Sequence, residues 1–391
     1  EILILLLGFA MLCVEAFSSN RSRSGIAVLG VSGLFVVLLF LIFAIPSFED
    51  PYDHWGIYHV DKLALFYKAI AIVTTLLVLV LAKDFSPAFK KYTSQSNELS
   101  GIGEYYCIPI FVCAGLMWMA SAKDLITIFV SLELVTIGFY VLVSFMRRNV
   151  GSLEAGVKYL VLGALSTGFL VYGIAWIFGV TGQFNLSEIA QELKSGEIEK
   201  GPVIFAFALL MVGLGFKVAA VPFHIWVPDV YQGTSMPITA FLSVGSKAAG
   251  FIVLLRVIEP FLDSPLTASS VILILSFLTC VTLLLGNLVA IKQTNVKRLL
   301  AYSSIAHAGF LMMALPAMQS DFLPQLSGPS PKESISFYLA GYLLMTMLCF
   351  LVITIVSALT GGENIDDLKG LGTRSPLLAF AMLIGVASLA G

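Results

Sequence analysis

Residues 269–291 read SSVILILSFLTCVTLLLGNLVAI, without one charged side chain. At a rise of about 1.5 Å per residue, such a run as a helix matches the ~30 Å hydrocarbon core of a bilayer. No water reaches the backbone there, so an unbroken apolar run in lipid must satisfy its peptide groups internally, as a helix. Comparable runs recur at roughly 2–17, 25–46, 62–82, 104–121, 123–146, 153–181, 202–221, 236–257, 296–317, 334–360 and 376–391. With 269–291 this makes about 12 transmembrane segments. The first and last are read as incomplete, because both ends of the chain stop inside apolar runs. The expected fold is an all-α polytopic membrane protein.

Composition supports that reading. Of 391 residues, 58% are hydrophobic and 12% charged, against about 25% charged in soluble domains. Mean hydropathy is +0.96. The longer connections, 47–61, 83–103, 182–201, 318–333 and 361–375, hold most of the acidic residues, and none reads as a soluble domain. The chain is therefore read as a single transmembrane domain, 1–391. A net charge of -2 with no basic tract argues against nucleic acid as a partner. Five cysteines without a CxxC pair suggest neither a disulfide framework nor a metal or iron–sulfur site. The sequence also lacks a GxGxxG after a predicted strand, a P-loop and an HExxH motif. If the chain serves an enzyme, another subunit performs the bond chemistry.

Lysine and arginine counts set the expected orientation. Connections after odd-numbered segments hold Arg21, Arg23, Lys83, Lys90, Lys91, Arg147, Arg148, Lys292, Lys297, Arg298, Lys369 and Arg374. Those after even-numbered segments hold Lys62, Lys123, Lys194, Lys200, Arg256 and Lys332. The two-to-one bias puts the odd exits in the cytoplasm. The other four cations, Lys68, Lys158, Lys217 and Lys247, lie within segments.

Charges inside the membrane are costly, about 2.5–3.5 kcal/mol each at the centre on insertion scales, and they commonly line ion paths. Glu133, in IFVSLELVTIGFYVLV, has no cation at helical spacing on its own segment and must find a partner on another helix or stay protonated. Lys217 opens the stretch KVAAVPFHIWVPDVYQG, where Pro222 predicts a broken helix. Broken helices at membrane depth line hydrated cavities in transporters. His224, just after the break, is suited to passing a proton near neutral pH or to a plain hydrogen bond at a helix end. Lys247 sits mid-segment among Ser243, Gly245 and Ser246. Lys158 is read either as part of the path or as a partner of Glu154 at i,i+4 spacing, and Lys68 as reaching to the interface. His307 shares a helix face with Ser303 and Ser304, a pattern that suits a water chain or a structural histidine.

Together these residues suggest a proton relay. A desolvated ammonium holds its proton weakly, and a carboxylate beside it restores the hold. A small helix shift that separates and re-forms such a pair would release and take up a proton. Lys158, Lys217 and Lys247 would be stations, with Glu133 as the switchable counter-ion. A structural role, in which the buried charges only hold helices together, is the plainer alternative.

The stretches SLELVTIGFYVLVSFMRRNVGSLEAGVKYLVLGALSTGFLVYG, GFKVAAVPFHIWVPDVYQG, SVGSKAAGF and NVKRLLAYSSIAHAGF resemble the antiporter-like membrane subunits of respiratory complex I, the proton-pumping NADH–quinone oxidoreductase. The resemblance covers nearly the whole chain. It implies fourteen segments in all and two inverted five-helix repeats with discontinuous helices, here approximately 104–257 and an incomplete 269–391. It implies that the first broken helix carries Lys217 with Glu133 as partner, with Lys158 and Lys247 on a central hydrophilic axis. A second broken helix would start in MLIGVASLAG, its functional lysine lying beyond Gly391. The resemblance further implies that NADH, FMN, iron–sulfur clusters and quinone are bound by other subunits and that this chain carries no cofactor. The implied partners are other membrane subunits, including neighbouring antiporter-like ones, in the lipid bilayer of the bacterial inner (plasma) membrane. A Mrp-type cation/proton antiporter subunit is the alternative. The lack of an acidic cluster suited to a hard cation favours protons over sodium.

Overall fold

The computed structural model describes residues 1–17, 23–44, 52–93, 102–195, 198–319 and 329–390. Arg21, in the first expected connection, and Gly391 lie outside the described residues. The chain is a helical bundle: α1 (Ile2–Phe17), α2 (Arg23–Ala44), α3 (Lys62–Thr93), α4 (Ile102–Ser121), α5 (Leu125–Val143), α6 (Val150–Thr181), α7 (Leu186–Ser195), α8 (Lys200–Val218), α9 (Trp226–Gly233), α10 (Met236–Phe241), α11 (Lys247–Leu262), α12 (Ala268–Ala290), α13 (Val296–Met312), α14 (Pro331–Thr360), α15 (Leu371–Arg374) and α16 (Pro376–Ala390). Among the described residues, 10 helical stretches are long and apolar enough to cross a membrane, and α1 and α16 are shorter apolar helices. All of these fall on the apolar runs of the sequence.

Local chemistry sets the helix ends. Asp124 caps α5, its carboxylate accepting from the N–H groups of Ile126 and Thr127 at 2.9 and 3.0 Å. Asn149 and Asn295 cap α6 and α13 in the same way, and Ser330 with Glu333 forms a capping box on α14. Gly182 and Gly361 close α6 and α14 with positive φ.

Three features depart from the plain reading of the sequence. The connection 47–61 carries a small antiparallel hairpin, β1 (Tyr52–His54) paired with β2 (Tyr58–Val60). Helix α3 runs on to Thr93, so Lys83, Lys90 and Lys91 are helical rather than in a loop. The segment from Met236 to Leu262 is one path through the membrane but contains a π-helical turn, Leu242–Ser246, directly before Lys247. Such turns insert an extra residue into a helix and are frequent at functional sites.

The central stack is α10, the π turn and α11, buried except at Arg256 and Glu259. Helices α2, α6 and α12 turn bulky side chains outward, among them Phe40, Val161 and Phe277, as a lipid or subunit-facing surface requires. Helices α12 and α13 cross closely at Gly286, where a Cβ would meet the Ala306 backbone nitrogen at 2.7 Å.

Candidate functional site

Helix α8 ends at Val218, and Ala219 turns into the left-handed region at φ 66. The chain then runs irregularly through Pro222 until α9 begins at Trp226. The break leaves peptide groups without helical partners, and other elements supply them. The Trp226 indole N–H donates to the Phe216 carbonyl at 3.1 Å, and the Thr282 hydroxyl of α12 accepts from the Val221 N–H at 3.0 Å. The expected break is therefore present, starting a few residues before the proline. His224 lies in it, half-buried, with Nδ1 enclosed and unbonded.

Lys217 sits on the last turn of α8 and is only 7% exposed. Its ammonium donates to the Thr136 hydroxyl of α5 and lies 5.7 Å from the centre of the Phe216 ring. Glu133 is one turn before Thr136 on the same helix, yet it is not within ion-pair distance (4.0 Å) of Lys217. Its carboxylate instead accepts from the Thr167 hydroxyl of α6 at 2.8 Å. The two residues expected to pair are thus neighbours held apart, each by a threonine.

Lys247 is 2% exposed. Its ammonium donates to the carbonyl and the hydroxyl of Ser304 on α13 and lies 5.0 Å from the centre of the Tyr342 ring. Among the described residues it has no acidic partner within 4.0 Å. Around it is a polar cluster in an apolar core. Tyr342 and Ser243 share a hydrogen bond of 2.9 Å, Tyr231 reaches Ser304 at 3.4 Å, and His307 Nδ1 meets the Tyr338 hydroxyl at 2.6 Å. The His307 ring lies 5.0 Å from that of Tyr342. Helices α8 and α11 approach closely at Gly250, one turn after Lys247, where a Cβ would stand 3.5 Å from that of Lys217.

Lys158 differs from the other two. It is partly exposed and pairs with Glu154 at 2.7 Å and with Asp229 of α9 at 2.8 Å. Asp229 also receives Arg298 of α13 at 2.7 Å, so one carboxylate ties α6, α9 and α13 together. These groups line a cleft of about 970 Å³ at the end of the bundle that carries the lysine and arginine excess. Lys68, expected to reach the interface, is instead buried, paired with Glu1 at 3.0 Å and donating to the Tyr58 hydroxyl at 2.9 Å.

Some groups of the candidate site carry little or no signal in the sequence. Lys297, counted as a connection residue, is buried in the same cleft, paired with Glu363 at 2.9 Å and donating to the Thr234 carbonyl at 3.0 Å. Its seven-residue spacing from Ser304 puts both on one face of α13, a signal present in the sequence. Thr136, Thr167 and Tyr338 carried none, because buried hydroxyls are common in membrane helices. At the opposite end a second cleft, of about 460 Å³, is lined by His59, Lys123, Lys194, Arg256, Glu259 and Asp263, among others. Among the described residues no group of three or more His, Cys, Asp or Glu could hold a metal ion.

A bundle of membrane helices with a broken helix, buried lysines and hydrophilic clefts at both ends defines an antiporter-like membrane subunit. Residues 122–391 match the family model described as "NADH:quinone oxidoreductase/Mrp antiporter, TM". NADH-quinone oxidoreductase subunit N 2 of Chloroherpeton thalassium is 37% identical over 398 residues, covering 100% of this chain and 74% of that protein. Respiratory complex I from Thermus thermophilus contains a chain with TM-score 0.77 and 30% identity, covering 99% of this chain and 77% of that one. A chain of the Mrp complex from Dietzia sp. DQ12-45-1b has the same fold, with TM-score 0.78 and 22% identity over 100% of this chain and 70% of that one. The chain belongs to the family of NADH-quinone oxidoreductase subunit N. It spans about three quarters of the length of the relatives it matches.

Proposed function

We propose that this chain is the proton-translocating membrane subunit of a bacterial NADH-quinone oxidoreductase. NADH, FMN, iron–sulfur clusters and quinone would be bound by other subunits, and this chain would sit beside neighbouring antiporter-like subunits in the inner membrane. The observation that carries the reading is the two buried lysines, Lys217 and Lys247, in a bundle with a charged cleft at each end. Protons would enter or leave through the cleft at Lys158 and Asp229. Lys217, beside the helix break and His224, would exchange its proton as its relation to Glu133 changes. Lys247 would pass a proton by way of Ser304, His307 and Tyr338. Tyr338 stands six residues, about 9 Å, along α14 from Lys332, which pairs with Glu259 at the second cleft at 2.6 Å. The two approximate repeats, 104–257 and 269–391, would each supply half of this route.

The physical argument is one of differential solvation. An ammonium without water or a counter-ion releases its proton more readily, and one beside a carboxylate keeps it. One pKa unit corresponds to about 1.4 kcal/mol, so movements of a few ångströms at such a pair change occupancy by orders of magnitude. The energy for those movements would come from quinone reduction elsewhere in the complex.

The relatives favour this reading over a Mrp-type cation/proton antiporter. The matches at 36–38% identity that cover the whole of this chain are named NADH-quinone oxidoreductase subunit N, whereas the likeness to the Mrp chain shows the fold alone. The test is NADH-driven proton pumping in inverted membrane vesicles carrying the parent, Lys217→Ala or Glu133→Ala chain, with assembly checked on native gels. Assembled variants that lose pumping and quinone-linked NADH oxidation support the reading. Assembled variants that pump like the parent overturn it.

A further inference from the structure

Thr136 and Thr167 stand on two different helices and meet the two halves of one potential ion pair. Thr136 donates its only hydroxyl proton to the Leu132 carbonyl at 2.6 Å. A hydroxyl has one proton and two acceptor sites, so what Thr136 offers the bundle interior is an acceptor, and Lys217 takes it. It cannot also donate to Glu133. Thr167 does the opposite. It gives its proton to Glu133 at 2.8 Å rather than back to its own helix. The ammonium thus meets an acceptor and the carboxylate meets a donor, as each charge demands.

The arrangement leaves a close alternative. Glu133 and Thr136 are three residues apart on α5, so their Cβ atoms are about 5–6 Å apart on one face. A rotation of the long lysine side chain is enough to move the ammonium from one to the other. The open pair persists only where the two hydroxyls offset the attraction between the charges. That attraction is strong in a medium of low dielectric constant.

Building on the proton-translocating reading, we propose that Thr136 and Thr167 are positioning residues that hold the Lys217–Glu133 pair open, one by accepting from the ammonium and the other by donating to the carboxylate. Removing either hydroxyl drives the pair closed and locks the proton on Lys217. Thr→Val removes the hydroxyl and keeps the shape, and Thr→Ser keeps the hydroxyl.

The experiment uses the whole complex in native membranes carrying Thr136→Val, Thr136→Ser, Thr167→Val or Thr167→Ser. It reads the NADH-driven pumping rate and the infrared carboxylate band of Glu133, identified by its loss in Glu133→Gln. Each valine variant is expected to assemble and to lose pumping by about tenfold, the scale of one charge-assisted hydrogen bond. In each the Glu133 band shifts, in Thr167→Val as an ammonium replaces the hydroxyl partner and in Thr136→Val as it joins the Thr167 hydroxyl, and the serine variants restore rate and band together. If Thr136→Val does not assemble, the Thr167 pair decides. Parent-like pumping and an unmoved band in the valine variants overturn the proposal. Should Lys217→Ala lose pumping while the valine variants retain it, only the positioning role fails. Should Lys217→Ala also pump like the parent, the proton-path reading fails with it.

Discussion

The Trp226 indole donates its N–H to the Phe216 carbonyl, 3.1 Å away across the gap between α8 and α9. This bond explains how an irregular stretch survives in the middle of a membrane bundle. A buried carbonyl without a partner costs about 1–3 kcal/mol, and water is scarce there. Trp226→Phe should keep the ring packing against Tyr159 and leave the carbonyl only the longer bond from the Ala219 N–H at 3.3 Å. Thermal dissociation of the detergent-solubilised complex should then show a loss of about 0.5–1.5 kcal/mol, the scale of one hydrogen bond. Thr282→Val, which strips the acceptor from the Val221 N–H, should act in the same direction.

Asp229 joins Lys158 and Arg298 at the cleft. All three side chains are partly exposed, so each pair contributes at most about 1 kcal/mol to stability. Asp229→Asn should therefore assemble normally. Under the proposed function its pumping rate should fall several-fold, because the mouth of the path loses a carboxylate that two helices share. Vesicle pumping together with native gels separates the two effects.

Tyr338→Phe removes the hydroxyl that meets His307 Nδ1 at 2.6 Å. If His307 and Tyr338 carry protons from Lys247, pumping should drop while the abundance of the complex stays constant. A variant that pumps at the parent rate would remove this branch of the path.

The hairpin gives a prediction about pH. The Asp53 carboxyl is held below its ordinary value, first by a hydrogen bond from Lys123 and also by the Gly56 N–H, against a smaller opposing effect of burial. A lowered carboxyl stabilises the fold above the unfolded value, about 3.9, and that contribution is lost as pH falls through the lowered value. Hydrogen exchange in residues 52–60, after correction for the intrinsic pH dependence of amide exchange, should therefore be unchanged from pH 7 to pH 5 and rise only in stronger acid. In Asp53→Asn it should already be raised at pH 7.

Two glycines should respond in opposite ways. At Gly286 a Cβ would stand 2.7 and 3.0 Å from the nitrogen and Cα of Ala306. Backbone cannot yield there, so Gly286→Val should force α12 and α13 apart and cost about 1–3 kcal/mol or more. At Gly168, inside α6, a Cβ meets nothing within 4 Å. Gly168→Ala should be neutral or gain up to about 1 kcal/mol, since alanine loses less freedom in a helix. Thermal stability of the solubilised complex checks both.

Much of the helical layout was legible in the sequence, because a bilayer admits few alternatives: a long apolar run must satisfy its own backbone. The break after Lys217 was legible through Pro222, although the helix stops earlier, at Val218, where Ala219 turns left-handed. The hairpin at 52–60 was not legible, being too short and too polar to show a pattern. Nor was the π turn before Lys247, since an inserted residue leaves no mark in an apolar sequence.

By itself the sequence determined which residues are costly: Glu133, Lys217, Lys247 and His307 cannot sit in hydrocarbon without partners, whatever the fold. Only the tertiary structure decided who the partners are. It gave Lys217 to Thr136 and Glu133 to Thr167, gave Lys247 to Ser304 rather than to an acid, and set Lys158 at a cleft where two carboxylates hold it. The reason is physical. The energy of a charge in lipid depends on its own chemistry and depth, which the sequence carries. The identity of its neighbour depends on how helices distant in the chain cross, to within an ångström, and no local pattern records that.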